Sequence, residues 1–156
     1  MRVRVIAVGT RMPRWVRSAC DDYLTRLAPH LNITLLEIEP GVRPSGARAG
    51  KARGSEGERL LGSLRAGEQV IALDERGAQL TTREFSAWLQ ARMHSGEDLA
   101  FLIGGADGLV PGVLSRSNFT LALSRLTLPH AFARVLLVEQ LYRAVSILTQ
   151  HPYHRE

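Results

Sequence analysis

The stretch Asp98-Leu99-Ala100-Phe101-Leu102-Ile103-Gly104-Gly105 (residues 98–105) is an apolar run that stops at two glycines. A short run of this kind, bounded by turn residues, is typical of a strand that is buried on both faces of a sheet. Similar runs occur before and after it along the chain. We predict strands at residues 2–8, 33–38, 69–73, 98–103 and 119–123.

Segments with helical spacing lie between these strands. The first begins at Pro13 and places Val16, Cys20 and Tyr23 at intervals of three and four residues. Strands that alternate with helices predict an α/β fold, in which helices cover both faces of a mainly parallel sheet. Further helices are predicted at residues 55–64, after a cap at Thr81 or Thr82, after Pro111, and at residues 131–149.

The last predicted helix carries apolar side chains on two sides. Phe132 and Val135 lie on one side, whereas Val138 and Leu141 lie on another. A helix with two apolar faces needs two packing partners. The segment 42–54 is the opposite case, since it is rich in Gly, Arg and Ala, and we expect it to be a mobile basic arm suited to phosphate contact.

Length and composition indicate one soluble domain that spans residues 1–156. The excess of 20 Lys and Arg over 15 Asp and Glu favours a polyanionic partner such as RNA. An arginine surplus from a GC-rich genome, or from selection for solubility, explains the charge equally well. Because no run of ~18 apolar residues and no signal-peptide pattern is present, we expect a cytoplasmic protein without a membrane partner.

Three segments follow predicted strands, at residues 73–77, 103–108 and 123–130. The carboxyl ends of parallel strands lie at one edge of the sheet, where α/β proteins bind their ligands. Gly104 and Gly105 would let the backbone approach such a ligand closely. Taken alone, this glycine pattern more often marks a tight turn, and its spacing does not match the phosphate-binding glycine motifs.

The segment after the last predicted strand mixes apolar and small polar residues. An apolar loop at a ligand edge fits a purine-sized pocket, in which backbone groups contact the adenine edge and leucine side chains sandwich the ring. An edge strand that finishes in a turn explains the segment equally well. Its residues are Leu123, Ser124, Arg125, Leu126, Thr127 and Leu128.

The carboxyl-terminal tail is dense in aromatic and ionisable side chains. A metal site at His151 and His154 is disfavoured, because zinc requires about four ligands and no acidic or cysteine cluster accompanies them. A terminal histidine is usually solvated. Alternatively, the triplet Tyr153-His154-Arg155 could stack on a base, exchange a proton and contact a phosphate.

Several motifs together resemble the bacterial family of methyltransferases that modify N3 of a pseudouridine in large-subunit (23S) ribosomal RNA. The terminal His-Pro-Tyr-His and the run Leu-Thr-Leu-Pro-His are more specific than any single glycine loop, and the resemblance covers essentially the whole chain. The motifs are Val5 to Thr10 with Pro13-x-Trp15, Glu56-Gly57-Glu58, Leu102 to Gly108, Leu126 to His130, and His151 to Glu156.

The resemblance implies a SPOUT fold, whose C-terminal part forms a trefoil knot around an S-adenosylmethionine site. It also implies a homodimer that acts on ribosomal RNA, with the assembled ribosome as the favoured substrate, and S-adenosylhomocysteine as the product without any metal. The implied cofactor residues are Leu73, Gly104, Gly105 and the run from Leu123 to Leu128. The implied substrate and catalytic residues are Tyr153, His154 and Arg155, with His130 as a further candidate.

Methylation of this ring nitrogen requires that its proton be removed. We predict that His154 or a neighbouring group accepts the proton, while Arg155 or Arg134 stabilises the anion that develops on the base. Water could take the proton instead, in which case the tail only holds the base. Two other functions stay open, a non-catalytic RNA- or ribosome-binding module and a SPOUT methyltransferase with another RNA target, such as a transfer RNA ribose.

Overall fold

The computed structural model describes residues 1–43 and 49–155. Within these residues, five parallel strands form one sheet in the order β2-β1-β4-β3-β5. No helix in this part of the chain is long and apolar enough to span a membrane. The strands are β1 (Arg2–Val8), β2 (Asn32–Ile38), β3 (Gln69–Gln79), β4 (Leu99–Ile103) and β5 (Phe119–Ala122). The helices are α1 (Arg14–Leu27), α2 (Ala49–Gly62), α3 (Thr82–Ser95), α4 (Pro111–Arg116) and α5 (His130–Leu148).

The central strands build a core on each face of the sheet, because successive side chains in a strand point to opposite sides. Val5 of β1 and Phe101 of β4 are fully buried on the face that α1, α3 and α5 cover. Ile6 and Leu102 are fully buried on the other face, against α2 and α4. The predicted parallel sheet with helices on both faces is thereby confirmed.

The third strand is longer than the sequence suggested. We predicted that it ends in a turn after residue 73, whereas β3 continues beyond that turn. Its register with β5 shifts between Leu73 and Ala78, which both lie opposite Leu121. A turn does exist at this place, because Asp74 Oδ1 accepts a hydrogen bond from the backbone N–H of Arg76 at 2.9 Å. The chain therefore leaves the sheet and returns to it.

The second helix begins earlier than predicted. The sequence indicated an irregular basic arm at residues 42–54, but α2 already begins at Ala49. Ala52 supplies a buried side chain in these first turns. Alanine and arginine favour a helix without producing an apolar stripe, which explains why the pattern concealed it. Residues 44–48 of the predicted arm lie outside the described part of the chain.

The last helix finds both of its packing partners inside the chain. Val138 packs against Cys20 of α1, and Leu141 packs into the core between α5 and the sheet. On the side of α3, Ser86 Oγ donates a hydrogen bond to the carbonyl oxygen of Ala144 at 2.8 Å. The prediction that this helix needs two packing partners is therefore confirmed, and both partners lie within the chain.

Candidate active site

A cavity of about 770 Å³ lies at the edge of the sheet to which the carboxyl ends of β4 and β5 point. Its walls come from residues 73–76, 103–109 and 121–130, together with Arg53 and Ala133, although Arg125 and Ala122 within these ranges do not contribute. The sequence predicted that these strand-end segments lie together, and the structure confirms it. A cavity of this volume accommodates a ligand of nucleoside size.

The loop after β4 is folded tightly on itself. Gly108 has a φ of +73°, and its N–H donates a hydrogen bond to the carbonyl oxygen of Gly105 at 3.1 Å. A Cβ on Gly104 would lie 2.7 Å from the carbonyl carbon of Gly108, so a larger residue does not fit there. The glycine pattern thus forms a tight turn, as one sequence interpretation proposed, and this turn is also a wall of the cavity.

The loop after β5 closes another side of the cavity. Thr127 Oγ1 donates a hydrogen bond to Glu75 Oε2 at 2.7 Å, which ties this loop to the excursion in β3. Ser124 Oγ accepts a hydrogen bond from the backbone N–H of Leu126 at 2.9 Å, which fixes the turn. On this side, the cavity is therefore bounded by the loop after β5 and by the turn within β3, and a hydrogen bond between their side chains joins the two.

Most of the residues that we predicted to bind a cofactor line this cavity. Arg125 is the exception, because its side chain is exposed and does not contribute to the lining. The structure thus brings the set together, while the binding role of each member stays a prediction. The lining members of the predicted set are Leu73, Gly104, Gly105, Leu123, Ser124, Leu126, Thr127 and Leu128.

Among the predicted catalytic residues, His130 lies at the cavity. It is the first residue of α5, and its buried Nδ1 has no hydrogen-bond partner among the described residues. Burial lowers the pKa of this imidazole, and the positive charge of Arg134 lowers it further, whereas the carboxylate of Glu56 acts in the opposite direction. At neutral pH the side chain is therefore uncharged and can accept a hydrogen bond.

Arg134 lies behind the cavity wall and not in it. Its side chain is 2% exposed, and its Nη1 donates to Glu37 Oε2 at 2.6 Å. Its Nη2 donates to the carbonyl oxygens of Val8 and Gly9 at 3.3 and 3.1 Å. These bonds tie α5 to the carboxyl ends of β1 and β2. The geometry favours a positioning role over the direct contact with the base that we had predicted.

The carboxyl-terminal tail docks on the outer surface of α1 and α5. The hydroxyl of Tyr153 lies 3.0 Å from the hydroxyl of Tyr23 and 3.0 Å from Glu139 Oε1. Its ring packs edge-on against the ring of Tyr142, with 4.7 Å between the ring centroids, and the guanidinium of Arg143 lies over the face of the Tyr153 ring. Burial raises the pKa of Tyr153, and the hydrogen bond with Tyr23 raises it further. This phenol is a structural anchor that stays protonated.

This docking site is distant from the cavity of the same chain. Glu139, which holds Tyr153, lies roughly 13 Å along the axis of α5 from His130. His154 and Arg155 follow Tyr153 directly. Tail and cavity are thus not brought together within one chain. Within the described residues, no group of three or more His, Cys, Asp or Glu side chains is placed to hold a metal ion.

A charge network behind the glycine loop was not predicted. Arg43 pairs with the buried Glu56 at 2.8 Å and with Asp107 at 2.9 Å. Glu56 Oε1 also accepts a hydrogen bond from the backbone N–H of Gly41 at 3.0 Å. The network ties the segment after β2 to the cavity wall. Apart from the family motif that includes Glu56, no local pattern indicated this network, because Asp107 is far from Arg43 and Glu56 along the chain.

The sequence matches a family model over residues 1–154, and the family is described as "Predicted SPOUT methyltransferase". The chain belongs to the SPOUT methyltransferase family. A relative named "Ribosomal RNA large subunit methyltransferase H" from Thiobacillus denitrificans is 48% identical over 156 residues, which is 100% of both chains. A relative of the same name from Burkholderia mallei is 46% identical over 155 residues, which is 99% of each.

Solved structures share the fold of this SPOUT methyltransferase at low identity. A probable methyltransferase from Bordetella pertussis Tohama I superposes with a TM-score of 0.61 at 18% identity, over 92% of this chain and 96% of that one. A probable methylase family protein from Haemophilus influenzae Rd KW20 superposes with a TM-score of 0.56 at 18% identity, over 99% of this chain and 70% of that one. The predicted family is confirmed, and the implied trefoil knot stays a prediction.

Proposed function

We propose that this SPOUT methyltransferase transfers a methyl group from S-adenosylmethionine to N3 of a pseudouridine in 23S ribosomal RNA, and releases S-adenosylhomocysteine. The observation that supports this function most directly is the cavity at the carboxyl edge of the sheet, which is built from the three strand-end segments. Full-length relatives at 46–48% identity carry the name of a large-subunit ribosomal RNA methyltransferase. The expected compartment is the cytoplasm, where ribosomes are found.

The residues of the cavity fit this cofactor. Ile103, Leu121, Leu123 and Leu128 supply apolar walls for a purine ring, next to loop backbone that can pair with its edge. Arg53 adds a polar group with an unsatisfied buried nitrogen. When bound, the cofactor would supply a methyl group on a positively charged sulfur, which a ring nitrogen can attack in line while the sulfur leaves as a neutral thioether. No metal is required for this chemistry.

We propose that the tail of one subunit completes the cavity of another. Tyr153 anchors the tail far from its own cavity, so His154 and Arg155 would act on a substrate bound at a neighbouring chain. The ring centroids of Trp15 and Phe132 are 5.0 Å apart, and the two residues are about half exposed, at 48% and 49%. This apolar pair, at the amino-terminal ends of α1 and α5, offers a surface for a homodimer contact.

In this arrangement the chain's own residues orient the base and manage its proton. His154 would accept the proton from the ring nitrogen, and Arg155 would stabilise the negative charge that develops. If water accepts the proton instead, the same two side chains hold the base in line with the methyl group. The net charge of +5 supports attraction of the RNA in either case.

Incubation with a labelled methyl donor tests the proposal. Free 23S RNA, large subunits and whole ribosomes are offered separately, and the modified nucleoside is identified by mass spectrometry. We expect N3-methylpseudouridine, formed fastest on assembled ribosomes. Label in a transfer RNA ribose would assign the fold another target. Calorimetry without any binding of S-adenosylhomocysteine would instead support a non-catalytic RNA-binding module.

The lowered pKa of His130 predicts how the stability of the fold depends on pH. Because the folded protein lowers the pKa of this imidazole, acid protonates the unfolded chain more readily than the folded one. We expect the contribution of His130 to stability to be constant above about pH 7 and to be lost as the pH falls through and below the ordinary histidine pKa of about 6.5. Urea unfolding of the wild type and of His130→Gln between pH 5 and 8 measures the difference.

The matched control is His94→Gln, which removes an exposed histidine at the end of α3. We expect this variant to keep the acid sensitivity of the wild type, whereas His130→Gln reduces it. An equal acid sensitivity in His130→Gln and in the wild type would contradict the assignment of a neutral His130.

A further inference from the structure

Arg53 is a charged residue in the cavity wall that neither the strand-end pattern nor the family motifs identified. It extends from the second turn of α2 and lines the cavity from that side. Its Nη2 donates a hydrogen bond to the carbonyl oxygen of Leu109 at 2.6 Å. Its Nε is buried and has no hydrogen-bond partner among the described residues. The guanidinium is thus fixed by one bond, with donor capacity left over.

Arg53 lines the cavity with a guanidinium that has donors beyond the Nη2 bond to Leu109, and a ligand in the cavity can accept hydrogen bonds from them. The planar guanidinium donates in a fixed fork, which matches the two oxygens of a carboxylate or the oxygens of a phosphate. The other arginine among the described lining residues is in a different situation, because Arg76 is 72% exposed and is bound to Asp74. The ligand that Arg53 fits is therefore an oxyanion.

The charges around Arg53 distinguish between two sources of that oxyanion. Asp74, Glu75 and Asp107 also line the cavity. The hydrogen bond with Arg76 is the main cause of the low pKa of Asp74, and the positive charge of Arg53 contributes to it. Arg76 and Arg43 neutralise Asp74 and Asp107, whereas Glu75 accepts only from the hydroxyl of Thr127. This arrangement suits a zwitterion, whose ammonium group can face Glu75 while its carboxylate faces Arg53.

We propose that Arg53 binds the α-carboxylate of the cofactor's methionine moiety. This inference rests on the proposed function, since it names how the same cavity holds its cofactor. It also sets the orientation of the cofactor, with the amino-acid end towards α2 and the glycine loop, and the purine towards residues 123–128. Arg53 in this role is a binding residue that fixes the methyl donor along one direction of the cavity.

Two ligands that differ by one carboxylate test the proposal. Calorimetry compares S-adenosylhomocysteine with its decarboxylated form, S-adenosyl-3-thiopropylamine, on the wild type and on Arg53→Met. We expect Arg53→Met to bind S-adenosylhomocysteine roughly tenfold to a hundredfold more weakly, as expected for a lost hydrogen bond to a charged group. The affinity for the decarboxylated ligand should change less than about threefold, because that ligand never used the arginine.

Arg59→Met is the matched control. Arg59 is also an arginine of α2 that donates to backbone carbonyl oxygens, those of Glu39 and Pro40, but it does not line the cavity. We expect it to leave both affinities unchanged. An equal loss of both ligands in Arg53→Met would overturn the proposal and leave Arg53 a purely structural tie to Leu109.

An RNA phosphate as the true ligand gives another pattern. Arg53→Met would then keep its affinity for S-adenosylhomocysteine, while the KM for ribosomes rises, and the proposal would be overturned. Failure of the proposed function is recognised separately, because in that case the wild type itself would bind neither of the two adenosyl ligands.

Discussion

A Gly104→Ala variant is expected to bind S-adenosylhomocysteine roughly tenfold to a hundredfold more weakly than the wild type, because forcing an extra methyl group into a packed wall costs about 1–3 kcal/mol. The added Cβ would lie 2.7 Å from the carbonyl carbon and 2.9 Å from the carbonyl oxygen of Gly108. Both are backbone atoms, so rotation of a side chain cannot relieve the clash. The loop must open, and calorimetry measures the result.

The opening would break specific contacts. Gly105 and Gly108 form a short antiparallel bridge, and the N–H of Gly108 donates to the carbonyl oxygen of Gly105. Asp107 in the same loop is tied through Arg43 to the buried Glu56. These bonds resist the movement that the added methyl group requires. We therefore expect the loss of binding to come with a modest loss of stability and without unfolding.

Gly112→Ala is the control for this variant. It lies in the first turn of α4, and a Cβ there would meet no heavy atom within 4 Å. We expect the same affinity as the wild type and an equal or higher melting temperature, since alanine favours a helix over glycine. If Gly104→Ala bound the ligand within threefold of the wild type, the glycine loop would not be a wall of the cofactor site.

The strands that sequence patterns located best are those buried on both faces. In β4 each side chain is apolar, because helices cover both sides of the sheet, and the run from Leu99 to Ile103 is therefore visible without context. β3 was cut short because Asp74 and Arg76 form a real local turn. That the strand resumes afterwards depends on its neighbour β5, which local sequence does not reveal.

The location of the cavity was predictable for a related reason. Parallel strands deliver their carboxyl ends to one edge, so the segments after β4 and β5 had to meet. The individual polar partners were not predictable. Arg43 and Asp107 are separated by 64 positions, and their pairing depends on how α2 lies against the glycine loop. Arg53 likewise carries no local pattern that separates it from a solvated arginine.

The last helix shows that two apolar faces do not by themselves require a second subunit. Its two apolar faces are real, but α1 and α3 cover them within one chain. Two other observations support a second subunit. They are the distance between the docked Tyr153 and the cavity, and the half-exposed pair of Trp15 and Phe132. A shared active site is a stronger reason for a dimer than an apolar helix face.

His154→Ala is expected to reduce the rate of ribosome methylation by roughly 10²- to 10⁴-fold, the usual contribution of a group that transfers a proton in the transition state. S-adenosylhomocysteine should bind as tightly as it does to the wild type, because His154 follows the anchored Tyr153 and does not line the cavity. Single-turnover kinetics on saturating ribosomes, with His94→Ala as the histidine control, measure the effect. An undiminished rate would assign the proton to water.

Mixing the two impaired variants, at a methyl-donor concentration that occupies the wild-type cavity but not that of Gly104→Ala, shows which chain's cavity the tail serves. Gly104→Ala has a defective cavity and an intact tail, whereas His154→Ala has the reverse. If the tail acts on the neighbouring subunit, each mixed dimer contains one complete site, so that random exchange restores about a quarter of the wild-type activity. If the tail acts on its own chain, no mixed dimer is complete, and the activity stays at that of the two parents.

The docked position of Tyr153 makes the first outcome the expected one. For a tail to reach its own cavity, the hydroxyl of Tyr153 would have to leave both Tyr23 and Glu139, and its ring would have to leave Tyr142. That movement breaks both hydrogen bonds of the half-buried phenol, although Glu139 keeps Arg143 and Gln140 as partners. A neighbouring subunit that presents its cavity to the docked tail requires no such rearrangement, and its contact with Trp15 and Phe132 would bury apolar surface as well.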